Sequence, residues 1–258
     1  MVWQIDLSGK CIVVTGGNRG IGLGISRDCA KAGANVAVIY RQSPSAPQVA
    51  EDISKEFGIQ CKAYQCDVTD AKAVQTTIDA AIKDLGPLGG VVCNAGMQVS
   101  RPALEMTKDD YERQMNGNTW GVFTVAQAAA KIWVEQKYKQ GRIVFINSMS
   151  ATIANDGTTQ CFYNASKGAL TSLARCLAME WAEHGILVNS LSPGFVDTDM
   201  NQGLRDDPER KKYYEKKVML GRISDVEEQA GLAIFLLSPY ASYITGADYI
   251  VDGGVTAW

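Results

Sequence analysis

The sequence predicts one doubly wound α/β domain, a parallel sheet of about seven strands with helices on both faces, spanning residues 1–258. Three observations lead there. Short apolar runs alternate with longer stretches of helical period, which is the pattern of successive βαβ units. The first run ends in a glycine-rich turn that opens a helix. With 46% apolar and 21% charged residues, the chain can bury one sizeable core.

Taken in order, Cys11-Ile12-Val13-Val14 is a short buried run ending at Thr15-Gly16-Gly17-Asn18-Arg19-Gly20-Ile21-Gly22. A helical pattern through Ile25, Cys29 and Ala30 follows until Gly33 stops it, and Asn35-Val36-Ala37-Val38-Ile39-Tyr40 is a second buried strand. Glycines in such a strand-turn-helix unit let backbone approach a pyrophosphate seated on the positive end of the helix. A unit that binds NAD usually places Asp or Glu about 20 residues past these glycines, to accept hydrogen bonds from the ribose. Here Tyr40-Arg41-Gln42-Ser43 stands at that place, with no acid before Glu51. Arg41 and Arg19 instead suit a 2′-phosphate, so NADP(H) is the expected cofactor.

Residues 44–47 read as a loop, 49–57 as a helix and 61–66 as a strand. Asp67-Val68-Thr69-Asp70 opens a helix to Leu85, with Thr69 or Asp70 as its cap, and Gly86-Pro87-Leu88 breaks it. Residues 91–96 make a fourth strand ending in Asn94-Ala95-Gly96, where an open parallel sheet meets ligands. A long helical stretch, 108–137, is interrupted at Asn116-Gly117-Asn118, a costly cluster of a kind found at functional sites. Residues 141–146 form strand five, with Asn147-Ser148-Met149-Ser150 as its polar exit. A helix running to Glu183 follows, then strand six at 186–191, the turn Ser192-Pro193-Gly194, a polar loop at 195–202, and a last strand at 249–254.

The charge balance, 25 Lys and Arg against 28 Asp and Glu, leaves a net charge of −3. The basic residues are scattered, which argues against a nucleic-acid or anionic-lipid surface; the run 210–217 reads as a solvated helix face. The apolar run 232–237 is too short to span a bilayer, and the N-terminus lacks a basic and apolar signal region, so a cytoplasmic location is expected. The seven cysteines form no Cys-x-x-Cys, and Cys11, Cys29, Cys93 and Cys176 fall in apolar patterns, as reduced core thiols do. His184 is the single histidine and sits at an exposed-looking helix end, which removes a Cys/His metal site and a Ser-His-Asp triad from consideration.

Chemistry is expected at Tyr163-Asn164-Ala165-Ser166-Lys167. Four residues separate Tyr163 from Lys167, so a helix carries both side chains on one face. A free phenol titrates near ~10, and an ammonium beside it favours phenolate and brings the group into working range.

Together these motifs resemble the short-chain dehydrogenase/reductase family over the whole chain. They are the glycine turn 15–22, Asp67-Val68, Asn94-Ala95-Gly96, Asn118, Ser148, Tyr163-x-x-x-Lys167, Pro193-Gly194 with Thr198, and Asp252-Gly253-Gly254. The resemblance implies a Rossmann-type fold in which Gly16, Gly20 and Gly22 line the pyrophosphate, with Asn18, Arg19 and Ile21 also in the cofactor set. Tyr40 and Arg41 stand at the 2′ side, Asp67 and Val68 at adenine, and Asn94, Ala95 and Gly96 along the adenosine ribose. Pro193, Gly194 and Val196 complete the cofactor set, and Thr198 holds the nicotinamide end. Tyr163 is implied as general acid in ketone reduction and base in alcohol oxidation. Lys167 holds the nicotinamide ribose and lowers the phenol pKa, Ser148 bonds the reacting oxygen, and Asn118 supports a water relay to Lys167. Members often carry the serine 13 residues before the tyrosine, which points to Ser150; the strand-exit position gives Ser148, 15 residues before. Ser148 is preferred and Ser150 stays open. Leu187 stands where relatives often have arginine, a matter of packing.

Residues 192–200 and 243–254, with Trp258, are similar to fungal NADP-dependent polyol dehydrogenases acting on mannitol or sorbose, and also to yeast carbonyl reductases. The implied substrate is a ketose or polyol, with a broad-range carbonyl or 3-oxoacyl reductase as the alternative. Asn155, Asp156, Thr158, Gln160, Asp197, Asn201 and Gln202 fall in loops that suit sugar hydroxyls, whereas Met97, Trp120, Phe162, Phe195 and Met200 would make an apolar pocket. The resemblance further implies a homotetramer built through the long helices after Asn118 and around Tyr163.

Overall fold

A strand covered by helices on both sides must be apolar on both faces, and the first run meets that demand. In the computed structural model, which describes residues 4–198 and 206–258, every residue of β1 (Cys11–Thr15) is buried. Parallel to it lie β2 (Asn35–Tyr40), β3 (Cys61–Gln65), β4 (Leu88–Cys93), β5 (Arg142–Ile146), β6 (Leu187–Pro193) and β7 (Asp248–Val251), in the sheet order β3-β2-β1-β4-β5-β6-β7. The register runs Val13↔Ala37 on one side of β1 and Val13↔Val91 on the other. Alternate residues of β1 serve different cores. Val13 packs with the group containing Ile78, Trp133 and Leu170, and Ile12 and Val14 with the group containing Ile25, Ile53 and Leu237.

The helices that cover the first of these faces are α3 (Ala71–Leu85), α5 (Gly121–Glu135) and α6 (Cys161–Trp181). The other face is covered by α1 (Gly20–Lys31), α2 (Ala46–Phe57) and, near the C-terminus, α8 (Glu227–Leu237); α4 (Lys108–Met115) packs against α6, and α7 (Pro208–Glu215) borders the site through Arg210 and Tyr214. Helix α8 has no counterpart in the sequence reading. It is apolar nearly all round, with Ala230, Ala233, Leu236 and Leu237 buried, so the one-sided stripe of a surface helix is missing. Of the two candidate caps for α3, Asp70 is the one used: its Oδ1 accepts from the Lys72 and Ala73 N–H groups, each at 3.0 Å.

Several boundaries differ from expectation for local reasons. Helix α2 begins at Ala46, because Pro47 fits the first turn of a helix rather than ending the loop. Strand β4 starts at Leu88, not Val91: Gly89 and Gly90 are close-packing residues, and a Cβ on Gly90 would lie 2.6 Å from the Leu237 side chain. Strand β6 continues through Ser192 to Pro193, and β7 ends at Val251. Asp252 then turns the chain, accepting from the Gly254 N–H through Oδ1 and the Thr256 N–H through Oδ2, both at 2.8 Å. Cys11, Cys29 and Cys93 are buried free thiols, but Cys176 is exposed on α6 and is not a core residue.

Candidate active site

The strand order reverses direction at β1 and β4, so their carboxyl ends diverge and leave the crevice where open α/β sheets take ligands. A cavity of about 850 Å³ occupies it, wide enough for a dinucleotide and a small substrate. Thr15 and Asn94 tie the two strand exits together. The Thr15 hydroxyl accepts from the Asn94 and Ala95 N–H groups, each at 2.9 Å, and Asn94 Nδ2 donates to the Thr15 carbonyl at 2.8 Å.

The glycine turn divides into two roles. Gly16 (φ +65°) and Gly20 (φ +49°) line the cavity in a backbone conformation that L side chains rarely adopt. Gly22, expected beside them, does not line it. A Cβ there would stand 2.3 Å from the Gly16 carbonyl oxygen, so this glycine serves the close packing of turn on helix. Arg19, the residue before α1, makes no side-chain cap, and the first backbone N–H groups of that helix remain for an anion. Asn18, Arg19 and Ile21 line the cavity with them.

Beyond β2, Tyr40 and Arg41 line the same cavity, along with Gln42 and Ser43, which the sequence reading had not assigned. Asn18 Nδ2 donates to Ser43 Oγ at 3.0 Å, closing this end of the site. Both Arg19 and Arg41 are exposed, and no ion pair engages either of them among the described residues. On the opposite wall Asp67 and Val68 are held by α5. Thr124 Oγ1 donates to the Val68 carbonyl at 2.6 Å and the Trp120 indole to the Thr69 carbonyl at 3.0 Å. The Asp67 carboxyl lies below its ordinary value, chiefly because the Thr69 N–H donates to it, with Arg41 adding a smaller pull.

At the other end α6 brings Tyr163 and Lys167 together, with Lys167 Nζ 5.6 Å from the phenol ring centroid. Lys167 is buried and donates to the Ile146 carbonyl at 2.9 Å. Ser148 lies near enough to Tyr163 to pull its phenol downward, whereas Ser150 Oγ accepts from Gln160 Nε2 at 3.3 Å and so faces the loop cluster; both line the cavity. Burial governs both titrating groups. It pushes the Tyr163 phenol up, against the pull of Ser148, and Lys167 down to about 8, against Asp248. The phenol is therefore shifted up rather than down as the resemblance implied, with burial raising it and Ser148 opposing.

The interruption at Asn116 is a π-helical turn over Asn116–Trp120. It turns Asn118 inward, fully buried, and the cavity does not reach it. Its side chain bonds Met97 and Ser166 instead, with Nδ2 donating to the Ser166 hydroxyl at 3.0 Å. Gly96, Ala95, Pro193, Gly194, Val196 and Thr198 line the cavity as expected, with the Thr198 methyl 3.4 Å from where a Gly20 Cβ would stand.

The remaining wall is mixed. Asn155, Thr158 and Gln160 line it, joined by Gln98, whose Nε2 donates to Gln160 Oε1. Met97 and Phe195 line it too, but Trp120 and Phe162 do not. Trp120 packs on Phe123, and Phe162 sits edge-on to Tyr111 at 5.3 Å. Asp156 is turned away, bound by Lys217 at 2.5 Å, and Asp197 is not on the wall. Met200, Asn201 and Gln202 lie outside the described residues. Tyr214, hidden within a basic run read as a solvated face, is buried, stacks 4.7 Å from Phe195 and lines the cavity; an aromatic inside such a run was the available signal.

A family model described as enoyl-(acyl carrier protein) reductase matches residues 16–256. The chain is 36% identical to the probable NADP-dependent mannitol dehydrogenase of Yarrowia lipolytica, covering 97% of this chain and 89% of that protein. It is 37% identical to a sorbose reductase of Candida albicans, covering 97% and 88%. A short-chain type dehydrogenase/reductase from Mycobacterium marinum superposes with a TM-score of 0.91 at 38% identity, covering 98% of each chain.

Proposed function

The chain belongs to the short-chain dehydrogenase/reductase family, and on that premise we propose that it reduces a ketose of the fructose, sorbose or xylulose type to the polyol, with NADP(H) as cofactor, and catalyses the reverse oxidation. The observation that carries the reading is the contact of Ser148 with Tyr163, with Lys167 beneath the phenol, at the end of a cavity whose far end presents Arg19 and Arg41. The names of the mannitol and sorbose relatives support the substrate class, and the NADP in one of those names supports the cofactor.

The residues present fit such a cofactor. Gly16 and Gly20 leave room for backbone to meet the pyrophosphate, and two arginines with no acid at the end of β2 suit a 2′-phosphate. When bound, NADPH supplies the hydride to the carbonyl carbon. Negative charge then gathers on the substrate oxygen, where the Ser148 hydroxyl donates a hydrogen bond and Tyr163 gives up its proton. Lys167 has three donors, of which Ile146 takes one, leaving others for the ribose hydroxyls. Because burial keeps the phenol protonated, Tyr163 is ready as an acid at neutral pH, and oxidation of the polyol, which needs phenolate, speeds up as pH rises. Cytoplasmic location and a homotetramer belong to the same reading. No helix among the described residues is long and apolar enough to cross a membrane.

Gln98, Asn155, Thr158 and Gln160 give several hydroxyls polar partners, and support a sugar over a simple ketone. Met97, Phe195 and Tyr214 on the same wall favour the second reading, a broad-range carbonyl or 3-oxoacyl reductase. NADPH oxidation by purified protein, followed optically against fructose, sorbose, xylulose and an aryl ketone with NADH in parallel, separates them. Turnover of one ketose with NADPH well ahead of NADH is expected; turnover confined to the aryl ketone overturns the ketose assignment.

A further inference from the structure

A carboxylate stands behind the reacting groups and belongs to no ion pair among the described residues. Asp248 opens β7, and its oxygens gather hydroxyl and amide donors from three other segments. Oδ1 accepts from Ser192 Oγ at 2.6 Å; Oδ2 accepts from Thr171 Oγ1 at 3.1 Å and from Asn147 Nδ2 at 3.5 Å. Asn147 Nδ2 also donates to Thr171 Oγ1 at 2.8 Å, so these groups form one connected chain.

The placement of the donors is what matters. Asn147 sits between Ile146, whose carbonyl holds Lys167, and Ser148, which acts on the Tyr163 phenol. Thr171 follows Lys167 by one turn of α6, and Ser192 precedes the Pro193-Gly194 wall of the cavity. One carboxylate thus joins the two segments that carry the reacting groups to the strand that carries the Pro193-Gly194 wall. We propose that Asp248 is the positioning residue for Lys167, fixing the lysine's place through Thr171 and Asn147 and maintaining its ammonium charge inside the protein.

An ammonium taken out of water needs a compensating charge. Lys167 meets the Tyr163 ring on its own helix and the Ile146 carbonyl at the β5 exit, and shares the cavity wall there with Asn147 and Ser148. None of these carries a charge at neutral pH. Asp248 is the charged group acting on it, and opposes the fall that burial causes.

The proposal rests on the role given to Lys167 above, and its test reads the lysine directly. Modification of Lys167 by an amine-reactive reagent is followed across pH by peptide mass mapping in purified wild type, Asp248→Asn and Asp248→Ser, so that one folded variant suffices. Loss of the carboxylate is expected to move the midpoint of reactivity down by about half a pH unit or more, and the alkaline fall of ketose reduction with it. Ser192→Ala keeps the charge and loses one hydrogen bond, so its midpoint is expected to stay at the wild-type value. The proposal is overturned if the folded Asp248 variants keep the wild-type midpoint, or if Ser192→Ala shifts it as far as they do. A Lys167→Met variant that reduces ketoses as well as wild type would instead remove the catalytic reading, while the midpoints still judge Asp248.

Discussion

Asn118 bonds the backbone of Met97 at both ends of its carboxamide: the Met97 N–H donates to Oδ1 and Nδ2 donates to the Met97 carbonyl, each at 2.8 Å. With the second amide hydrogen on Ser166, the side chain is fully employed by protein groups. The side chain therefore ties the β4 exit to α6. Asn118→Ala leaves the half-buried backbone groups of Met97 unpaired, at a cost of roughly 1–3 kcal/mol. A lower unfolding midpoint together with a reduced kcat is expected by denaturant titration and steady-state assay; wild-type stability would contradict the clamp.

Tyr163→Phe removes the proton donor and keeps the ring in place. Reduction is expected to slow by roughly 10²–10⁴-fold in kcat, measured by NADPH oxidation under saturating ketose. Retention of most of the rate would sink the assigned chemistry.

Lys167 carries a stability cost. Its pKa in the folded protein is pushed down to about 8 by burial, against an ordinary 10.5, so the unfolded chain binds this proton more readily. The penalty is full below pH 8, shrinks between 8 and 10.5, and vanishes above. A depression of that size corresponds to roughly 3 kcal/mol at neutral pH. Lys167→Met abolishes reduction yet is expected to melt several degrees higher than wild type in the cofactor-free protein at pH 7, the gap closing toward pH 10.5. Scanning fluorimetry over that range checks both sign and window; a variant that melts lower at pH 7 contradicts it.

Arg41 is exposed at the 2′ end of the cavity with no ion pair among the described residues. Arg41→Asp is expected to lower the NADPH-to-NADH ratio of kcat/KM by about 10-fold or more, since a charge-assisted contact becomes a repulsion. An unchanged ratio would place the discrimination elsewhere.

Gly22→Ala tests the packing role. The added methyl would meet the Gly16 carbonyl of the glycine turn at 2.3 Å and Asn94 Nδ2 at the β4 exit at 2.5 Å. A drop of about 10-fold or more in NADPH affinity by fluorescence titration is expected, with lower thermal stability. Wild-type affinity would show that the turn can yield.

Local chemistry made the strands and most of the cofactor turn readable. The apolar runs, Gly33, Gly86 and the Tyr163 to Lys167 spacing each name their structure through backbone freedom or side-chain period, and these need no distant partner. Helix α8 escaped because an element buried on nearly all sides has no amphipathic signature. Tyr214 was masked by the charged residues around it, and Gly89 and Gly90 were left out of β4 because spacing cannot tell conformational freedom from lack of room.

The sequence by itself determined the alternation of strands and helices of a parallel sheet, the glycine turn after β1 and the absence of an acid after β2, since residue type and spacing state these directly. Only the tertiary structure decided that Ser148 rather than Ser150 meets Tyr163, that Gly22 and Asn118 stand behind the cavity, and that Asp248 reaches Lys167's neighbours across 77 residues from Thr171. Such facts depend on which buried groups face one another once the sheet closes. Burial then sets the balance of charge, pushing phenol and ammonium toward their neutral forms through a desolvation that no spacing along the chain can express.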